Sequence, residues 1–449
     1  MSRPKSREDG LTAPGGTDGR SASAFFGIWL PSLVVIIASG ACLFALSWWI
    51  TQTPGGGANL GLIIGLSSVF SLSTVVAFSG AIDRADRAKT ITKLLLVLLL
   101  PIGALVAVLG SRTDLLFVVA AGLCYTVIST SESLYLAANE TACVDLAPTT
   151  WASTRTALLT QMHSQVERVA APMLTATLLT SGRVQLVPAA ALVIVVAMLL
   201  TIRFRRRDLD AVTARAVDPS EAAAPPAGGA LRALVRDGRA AVRLVRDRRD
   251  LVFLVQLGIL GNLVVFPFYA VLPAYLTEYT DTPQSLALWY GRAATAYGVG
   301  MLVATLLLLR YRRSAEGRQP LLMATGSLGL ICLLLLTATT TGHPLAVVAA
   351  MFLTGALFAV LVAVGGAVWL NRTPAALRVR VFSLRRLTVF SSIPIGTMLM
   401  GIGGSQFGYR SFLRLLLVFV LVALVVIWFR YLRPGADRTE PSAGAPATL

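Results

Sequence analysis

The sequence predicts an all-α membrane protein in which twelve transmembrane helices form two pseudo-symmetric bundles of six. Of its 449 residues, 55% are hydrophobic and only 14% are charged, whereas soluble domains carry about a quarter charged residues. Apolar runs of about 20 residues, long enough to cross the hydrocarbon core of a bilayer, recur along the chain. A long hydrophilic stretch at 203–250 divides these runs into six and six, which is typical of proteins built from two related halves.

Charge and cysteine content exclude several other classes of protein. The formal net charge of +17 is compatible with nucleic-acid binding, but the basic residues lie between apolar runs instead of clustering with aromatic residues on one soluble face. We therefore expect a lipid bilayer, and not nucleic acid, as the partner. The four cysteines lie singly, mostly within apolar runs, and provide neither a disulfide framework nor zinc-site spacing. No metal or cofactor is predicted.

The N-terminal bundle is predicted to occupy residues 25–202. Residues 1–24 form a polar tail of the composition found in disordered segments. Phe25–Ile50 carries no charge and is longer than the apolar core of a signal peptide, so it is predicted to be the first span. The other spans of this bundle are predicted at 58–78, 91–110, 115–138, 156–180 and 185–202, with a loop at Asn139–Arg155 after the fourth.

The C-terminal bundle is predicted to occupy residues 251–431, between the linker at 203–250 and a polar tail at 432–449. Pro267 and Pro273 are expected to kink the seventh helix because proline removes a helical hydrogen bond. The spans of this bundle are predicted at 251–279, 286–309, 320–341, 344–370, 384–407 and 411–431.

The distribution of positive charge predicts the orientation in the membrane. If the N-terminus is cytoplasmic, the inner loops and the two tails hold 33 of the 39 lysine and arginine residues. Positive charge is retained on the cytoplasmic side of membrane proteins. We therefore expect a multi-pass protein of the cell membrane with both termini in the cytoplasm.

A charged turn, Ser79–Lys89 with the sequence SGAIDRADRAK, joins the second and third predicted spans. Its spacing resembles the loop signature of the major facilitator superfamily of transporters, although that family usually has Gly-Arg where this chain has Asp86-Arg87. The resemblance implies a role in latching the two bundles on the cytoplasmic side. The alternative is an ordinary cluster of juxtamembrane charges. The turn residues to which the resemblance assigns this role are Gly80, Asp83, Arg84, Arg87 and Lys89.

A second segment, Thr373–Leu384 with the sequence TPAALRVRVFSL, resembles a loop of one branch of this superfamily, the macrolide-type drug exporters and a siderophore exporter. Arg378 and Arg380 of the loop are kept and join the predicted gating loop, while Val379 replaces a glycine. The resemblance also includes the run Phe44–Trp48. It implies the major facilitator fold and proton-coupled export of a small molecule. Of the Gly-rich stretch ending in Gly-Pro that such antiporters often have, only Ala171-Pro172 is present.

The fifth predicted span carries the most polar face of any span. Thr160, Gln161, His163, Ser164, Glu167 and Arg168 recur at helical spacing and share roughly one face. Glu167 lies on the order of 16 Å into the span at 1.5 Å per residue, near the middle of the bilayer. Ionisable groups at that depth mark pathways or pairs. We expect Glu167 to exchange a proton while Arg168 or His163 tunes its affinity; the alternative is a static salt bridge between helices.

Other polar residues within spans are weaker candidates. Glu132 lies in a Ser/Thr-rich part of the fourth span. It is either a second protonation site or the partner of an arginine at the inner face. Arg292 either extends to the lipid headgroups or contacts an anionic substrate. Interface anchoring is the simplest role for the aromatic residues Trp48, Trp49, Trp289 and Tyr290. Further residues predicted to line a cavity are Gln161, Gln256, Asn262 and Tyr269.

The predicted function is secondary active transport. The sequence has no Gly-Lys-Ser/Thr nucleotide-binding loop, so the energy source is expected to be an ion gradient. The leading hypothesis is proton-coupled export of an amphipathic drug or secondary metabolite by a monomer that rocks one bundle against the other. A siderophore exporter and an uptake permease are the alternatives. A lipid-active enzyme or a sensor is more distant, because neither a catalytic cluster nor a soluble domain is present.

Overall fold

The computed structural model describes residues 18–84, 86–109, 115–146, 153–216, 242–309, 318–373 and 378–431. The polar tails predicted at 1–24 and 432–449 lie wholly or mostly outside these ranges. Every long regular element within the described ranges is an α-helix. A short helical segment also covers 242–247. The long helices are α1 (Asp18–Thr51), α2 (Gly56–Arg84), α3 (Arg87–Val108), α4 (Leu115–Leu146), α5 (Ser153–Thr180), α6 (Leu186–Ala216), α7 (Arg249–Leu276), α8 (Pro283–Leu309), α9 (Gln319–Thr341), α10 (Pro344–Arg372), α11 (Arg378–Phe390), α12 (Ser392–Phe407) and α13 (Tyr409–Tyr431).

Eleven segments of the described chain are long and apolar enough to cross a membrane. They are α1–α4, α6–α10, α13 and the combined α11 and α12, which meet end to end. Helix α5 is the exception, because the polar face predicted from the sequence lowers its hydropathy. It packs between α1 and α8 inside the bundle and supplies the twelfth helix, so the predicted all-α architecture is confirmed.

Large apolar side chains cover the outer surface of this bundle. Leu100 is 82% exposed, and Val193, Leu307 and Phe419 are each more than half exposed. A soluble monomer rarely exposes apolar surface over so many neighbouring helices. The outward faces therefore contact lipid, and the chain is a multi-pass membrane protein.

The helices form two halves, each with its own hydrophobic core. The first half, α1–α6, buries Ile36 and Tyr135, and the second half, α7–α13, buries Tyr297 and Trp369. In the first half α1 packs on α4, α5 and α6, and in the second half α10 packs on α8 and α9. All four cysteines are free and buried in these cores, as expected.

Two helix pairs, α5 with α8 and α2 with α12, form the main contacts between the halves. Glycine permits close approach in both pairs. A Cβ atom on Gly401 of α12 would lie 2.6 Å from the Cα atom of Gly61 on α2. A Cβ atom on Gly298 of α8 would lie 2.6 Å from the carbonyl oxygen of Arg168 on α5. These backbones touch because neither glycine carries a side chain.

Several helices extend beyond the spans predicted from the sequence, and α1 already begins at Asp18, within the predicted polar tail. Helix α4 continues to Leu146, so the loop predicted from Asn139 begins later. Asn139 is buried, and its Oδ1 atom accepts a hydrogen bond of 2.7 Å from Ser32, so a polar residue does not end the helix there. Helix α6 continues to Ala216, inside the predicted linker. Helix α7 includes Pro267 and Pro273, and the kink expected there stays a prediction.

The eleventh span is interrupted between α11 and α12. Pro394 has no N–H group to bond to the preceding turn, so a helix cannot pass through it without losing a hydrogen bond. The carbonyl oxygen of Val389 at the break accepts 3.0 Å and 2.6 Å hydrogen bonds from Asn262 Nδ2 on α7 and from Ser392 Oγ. The break is thus satisfied by a side chain of the neighbouring helix.

Below, the terminal face is the end of the bundle where α1 begins and α13 ends. The opposite face is the end where α1 ends and α13 begins.

Candidate functional site

A cavity of about 230 Å³ lies between the two halves, partway along the helices. Its wall is mostly apolar and aromatic, with one carboxylate and a few hydroxyl groups, which is the usual composition of a small-molecule site. Seven helices contribute: α1, α2, α4 and α5 from the first half, and α7, α8 and α12 from the second. The lining residues are Gly40, Leu43, Phe44, Ser47, Ile64, Ser68, Tyr125, Glu167, Ala171, Pro172, Phe266, Tyr269, Ala270, Tyr290, Ile393 and Thr397.

Glu167 is the one charged residue in this wall. Its side chain leaves α5 toward α1 and passes over Gly40. A Cβ atom on Gly40 would lie 3.1 Å from both Cγ and Cδ of Glu167, and closer still to Oε1. Because Gly40 has no side chain, the carboxylate has room to lie between α1 and α5 at the edge of the cavity.

Arg168 points in a different direction from Glu167, as successive helical residues do. Its Nη1 atom lies 3.6 Å from Met301 Sδ on α8, and its guanidinium carbon lies 5.6 Å from the centre of the Phe266 ring on α7. Tyr297 of α8 also lies beside the guanidinium. The acid therefore faces the first half of the molecule, while the adjacent base contacts the second. The two side chains form no direct ion pair in the described structure.

Glu132 of α4 lies behind the cavity wall, close enough to Glu167 for the two charges to interact. The hydroxyl group of Ser39 is its polar neighbour. The Oε2 atom of Glu132 is buried and has no hydrogen-bond partner among the described residues. The partner arginine considered for Glu132 is likewise absent from the described contacts. The site thus contains two interacting carboxyl groups, one on the cavity and one behind it.

His163 precedes Glu167 by one turn of α5 but does not line the cavity. Its side chain is fully buried, its ring stacks on Trp29 with centroids 4.9 Å apart, and its Nε2 atom lies 3.0 Å from the Trp29 carbonyl oxygen. These contacts fix α5 against α1 within the core of the first half. The structure therefore does not bring His163 together with Glu167 at the cavity.

The other predicted cavity residues are scattered. Tyr269 lines the cavity, whereas Asn262 bonds to the backbone break described above. Gln256 lies outside the cavity, with a buried Oε1 atom that lacks a hydrogen-bond partner in the described structure. Arg292 is exposed and lies over the Trp289 ring, 4.9 Å from its centre. The structure does not describe the side chain of Gln161.

Apart from Tyr269, the aromatic residues of the cavity wall are not predicted from the sequence. Tyr290, predicted to be an interface anchor, is only 3% exposed and lies in the cavity wall. Its ring stacks on Phe44 of α1, with centroids 3.7 Å apart and planes 6° apart. Tyr125 of α4 also lines the cavity. The available signal is the aromatic run in the first span, which begins at Phe44.

The halves also meet between the cavity and the opposite face. Trp48 Nε1 donates a 3.3 Å hydrogen bond to the carbonyl oxygen of Pro283, at the start of α8. Gly57 of α2 lies directly against the Tyr409 hydroxyl group and near Ala274. Together with the Phe44–Tyr290 stack, these contacts join the halves on the opposite-face side of the cavity.

Part of the predicted gating loop is described. Helix α2 ends at Arg84 and α3 begins at Arg87, so most of the turn predicted at Ser79–Lys89 is helical. Asp86 caps α3: its Oδ1 atom accepts a 3.1 Å bond from the Lys89 backbone, and Oδ2 lies 3.1 Å from Lys89 Nζ. The structure does not describe the surroundings of Gly80 or the side chains of Asp83, Arg84, Arg87, Arg378 and Arg380.

The pKa of Asp86 reflects these contacts. Partial burial raises the pKa of this carboxyl group, but the bonds from the Lys89 backbone and ammonium group outweigh burial, and the net pKa is lower than usual. In its charged form, Asp86 therefore stabilises the start of α3.

Comparisons with known proteins agree with this architecture. The sequence model of the Major Facilitator Superfamily matches residues 257–449. The nucleoside transporter NupG superposes with a TM-score of 0.64 at 13% identity, over 90% of this chain and 98% of that chain. A bacterial homologue of the human lysosomal transporter Spinster gives 0.64 at 13% identity, over 93% and 98%. A peptide transporter, POT, crystallised as a variant, gives 0.63 at 13% identity, over 89% and 93%.

No curated protein matches the sequence. At these identities the superpositions establish the fold alone. The chain is thus a multi-pass membrane protein whose fold is that of these major facilitator transporters.

Proposed function

We propose that this protein is a secondary active transporter that couples proton movement to the export of an amphipathic small molecule, such as a drug or secondary metabolite. The observation that carries the proposal is the position of Glu167. It is the one charged side chain on a cavity between two halves of a transporter fold, and it adjoins a base that contacts the opposite half. We place both termini in the cytoplasm of the cell, following the charge distribution.

The coupling follows from the cost of charge in this site. A charged carboxylate in a largely apolar cavity is unfavourable unless a cation lies nearby. A proton on Glu167 or a cationic group on the substrate would each relieve that cost, so the two compete for the same position. Exchange of one for the other on opposite sides of the membrane is antiport.

Arg168 links the protonation state of Glu167 to the second half of the molecule. With Glu167 charged, attraction draws the guanidinium toward α5; with Glu167 neutral, its remaining contacts are with Met301, Phe266 and Tyr297 of the second half. Both states bias the packing of α5 on α8, the helix pair that must slide or separate during alternating access. Glu132 is the second proton site, since its charge interacts with that of Glu167.

The wall of the cavity favours amphipathic substrates with aromatic or apolar parts. Phe44, Tyr125, Phe266, Tyr269 and Tyr290 offer ring faces, and Ser47, Ser68 and Thr397 offer hydroxyl groups. Ring faces also attract cations. These groups suit a drug-like molecule better than the strongly hydrated substrates implied by the nucleoside and peptide transporters with the same fold. If the protein moves its substrate into the cell instead, it is an uptake permease. A siderophore exporter is the narrower alternative among exporters.

The test uses the purified protein in liposomes with ethidium as the probe and a pH-sensitive dye to follow protons. Wild type is expected to accumulate ethidium against its gradient when a pH gradient is imposed. Glu167→Gln, which mimics the protonated side chain, is expected to lose accumulation and proton movement. Exchange of ethidium down its own gradient should persist in this variant, because that step needs no proton.

The matched control is Asp281→Asn, which removes an exposed carboxylate between α7 and α8 and should leave coupling intact. If Glu167→Gln still couples, Glu132→Gln becomes the variant to measure. Normal coupling in both would contradict the proton mechanism. Ethidium movement that ignores the pH gradient in wild type would contradict active transport, and accumulation only toward the side of the termini would indicate an uptake permease.

A further inference from the structure

A second concavity lies on the outer surface of the first half, far from the central cavity. It is a groove of about 470 Å³ between α3 and α6 at the terminal face. We refer to it as the α3–α6 groove. Its lining residues are Ala88, Lys89, Thr92, Lys93, Leu96, Leu199, Leu200, Ile202 and Arg203.

The basic residues of the groove gather at one end. Lys89 and Lys93 are one helical turn apart on α3, so their side chains extend from the same face. Arg203 approaches from α6, and all three side chains are exposed. Lys89 shares its charge with Asp86, 3.1 Å away, so this end of the groove retains a net positive charge. It lies where α3 enters the bilayer, at the depth of the lipid headgroups.

The other end of the groove is apolar and lies deeper. Leu96 is seven residues beyond Lys89, about 10 Å along the helix at 1.5 Å per residue. Leu96 and Leu200 are each 52% exposed, and Leu199 lies between them and the bundle. No side chain of the described structure covers this surface. At this depth the surrounding medium is hydrocarbon.

From this arrangement we infer that the α3–α6 groove binds an anionic phospholipid of the leaflet at the terminal face. The phosphate lies among Lys89, Lys93 and Arg203, and the first part of an acyl chain lies along Leu96, Leu199 and Leu200. Basic pockets between transmembrane helices bind anionic headgroups in this way. A free phosphate would use the basic end alone, and a neutral lipid would use the apolar end alone. An anionic lipid matches both ends at their respective depths.

The inference is independent of the proposed transport function, because the groove is on the lipid-facing surface and shares no residue with the central cavity. Binding at this position would tie α3 to α6 within the first half. Both helices carry the predicted cytoplasmic loops that flank the groove, so the lipid would stabilise that face of the bundle.

The test is native mass spectrometry of the full-length protein in detergent, with lipid added back after delipidation. Phosphatidylglycerol is expected to remain bound at concentrations at which phosphatidylcholine does not. Lys93→Gln combined with Arg203→Gln is expected to weaken phosphatidylglycerol binding by about tenfold or more. The matched control, Arg243→Gln with Arg246→Gln, removes two exposed bases of the helical segment 242–247 outside the groove and should leave binding unchanged.

A second variant keeps the charges and blocks the apolar end. Leu96→Trp fills the groove and is expected to weaken the binding of phosphatidylglycerol. Any binding of glycerol phosphate should be unaffected. Equal retention of the two lipids, or equal loss in the groove and control variants, would overturn the inference. Displacement of phosphatidylglycerol by glycerol phosphate at similar concentration would overturn it in favour of a free-anion site.

Discussion

The ring of Phe44 on α1 lies parallel to the ring of Tyr290 on α8, with centroids 3.7 Å apart. One ring belongs to each half of the molecule, and both line the central cavity. Phe44 is so closely packed in this position that it joins the hydrophobic core of the second half. The stack therefore stabilises the conformation in which the halves meet on the opposite-face side.

Phe44→Ala is expected to favour opening toward the opposite face. An aromatic pair contributes about 0.5–1.5 kcal/mol beyond its buried area, so the open population should rise about two- to tenfold. The measurement is the rate at which an impermeant maleimide labels Ser47→Cys from that face, with the four native cysteines replaced by alanine. Phe44→Tyr retains the ring and serves as the control. Equal labelling rates in all variants would show that the stack does not hold the halves together.

The contact between Gly61 and Gly401 should tolerate no side chain. An alanine methyl group at position 401 would lie 2.6 Å from Gly61 Cα and 3.0 Å from the Gly57 carbonyl oxygen, and backbone atoms cannot rotate away. We expect Gly401→Ala to separate α2 from α12, to lower the free energy of unfolding by about 1–3 kcal/mol and to slow ethidium transport.

Gly103→Ala is the control for that substitution, because nothing lies within 4 Å of the position that its methyl group would take. It should leave transport unchanged and, as a helical Gly→Ala substitution, raise the thermal midpoint slightly. A similar loss of stability and transport in both variants would show that the effect of Gly401→Ala does not arise from the contact between the halves.

Gly40→Ala is expected to impair transport without unfolding the protein. Its methyl group would meet the end of the Glu167 side chain, which is flexible and can rotate away at little cost to the fold. The carboxylate would then leave its place beside the cavity. We expect proton-coupled accumulation to fall several-fold at an unchanged thermal midpoint. Gly366→Ala is the control and should behave as wild type, because nothing lies within 4 Å of its methyl group. Full coupling in Gly40→Ala would show that Glu167 does not need the space that Gly40 leaves.

The Asp86 cap should make a pH-dependent contribution to stability. Loss of an N-cap costs about 1 kcal/mol for alanine and a few tenths for glycine, so Asp86→Ala should be less stable than Asp86→Gly. Because the folded-state pKa of Asp86 is lowered, the contribution is present above the unfolded pKa of about 3.9 and is lost as the pH falls through the folded value. Thermal midpoints measured at pH 7 and below pH 4 test this, and a gap between wild type and Asp86→Ala that does not shrink in acid would contradict it.

The sequence is sufficient to predict most of the spans, a connection between α2 and α3 within Ser79–Lys89 and the polar helix α5, because each depends on local hydropathy or charge. It also predicts a depth for Glu167 near the middle of the bilayer. What periodicity does not decide is the neighbour that each polar residue meets. Glu167 and Arg168 share a polar helix, yet one faces α1 and the other contacts α7 and α8.

Tertiary contacts explain the wrong predictions. Polar residues often end apolar runs, which is why a loop is predicted from Asn139, but Ser32, 107 positions away, bonds to it inside the core. The ring and hydroxyl group of Tyr290 suit an anchor at the membrane surface as well as they suit a cavity wall. Only the partner ring of Phe44, supplied by the other half, identifies Tyr290 as part of the cavity.

The hydrogen bond from Asn262 to the break at Val389 has a consequence for biosynthesis. An interrupted, glycine-rich segment such as α11–α12 lacks a full set of internal backbone bonds, and hydrocarbon offers no replacement donors. This segment can enter the bilayer favourably only where α7 is already present beside the translocon. Membrane insertion of the eleventh span should therefore stall when the seventh is deleted, even though the two segments are made far apart in time.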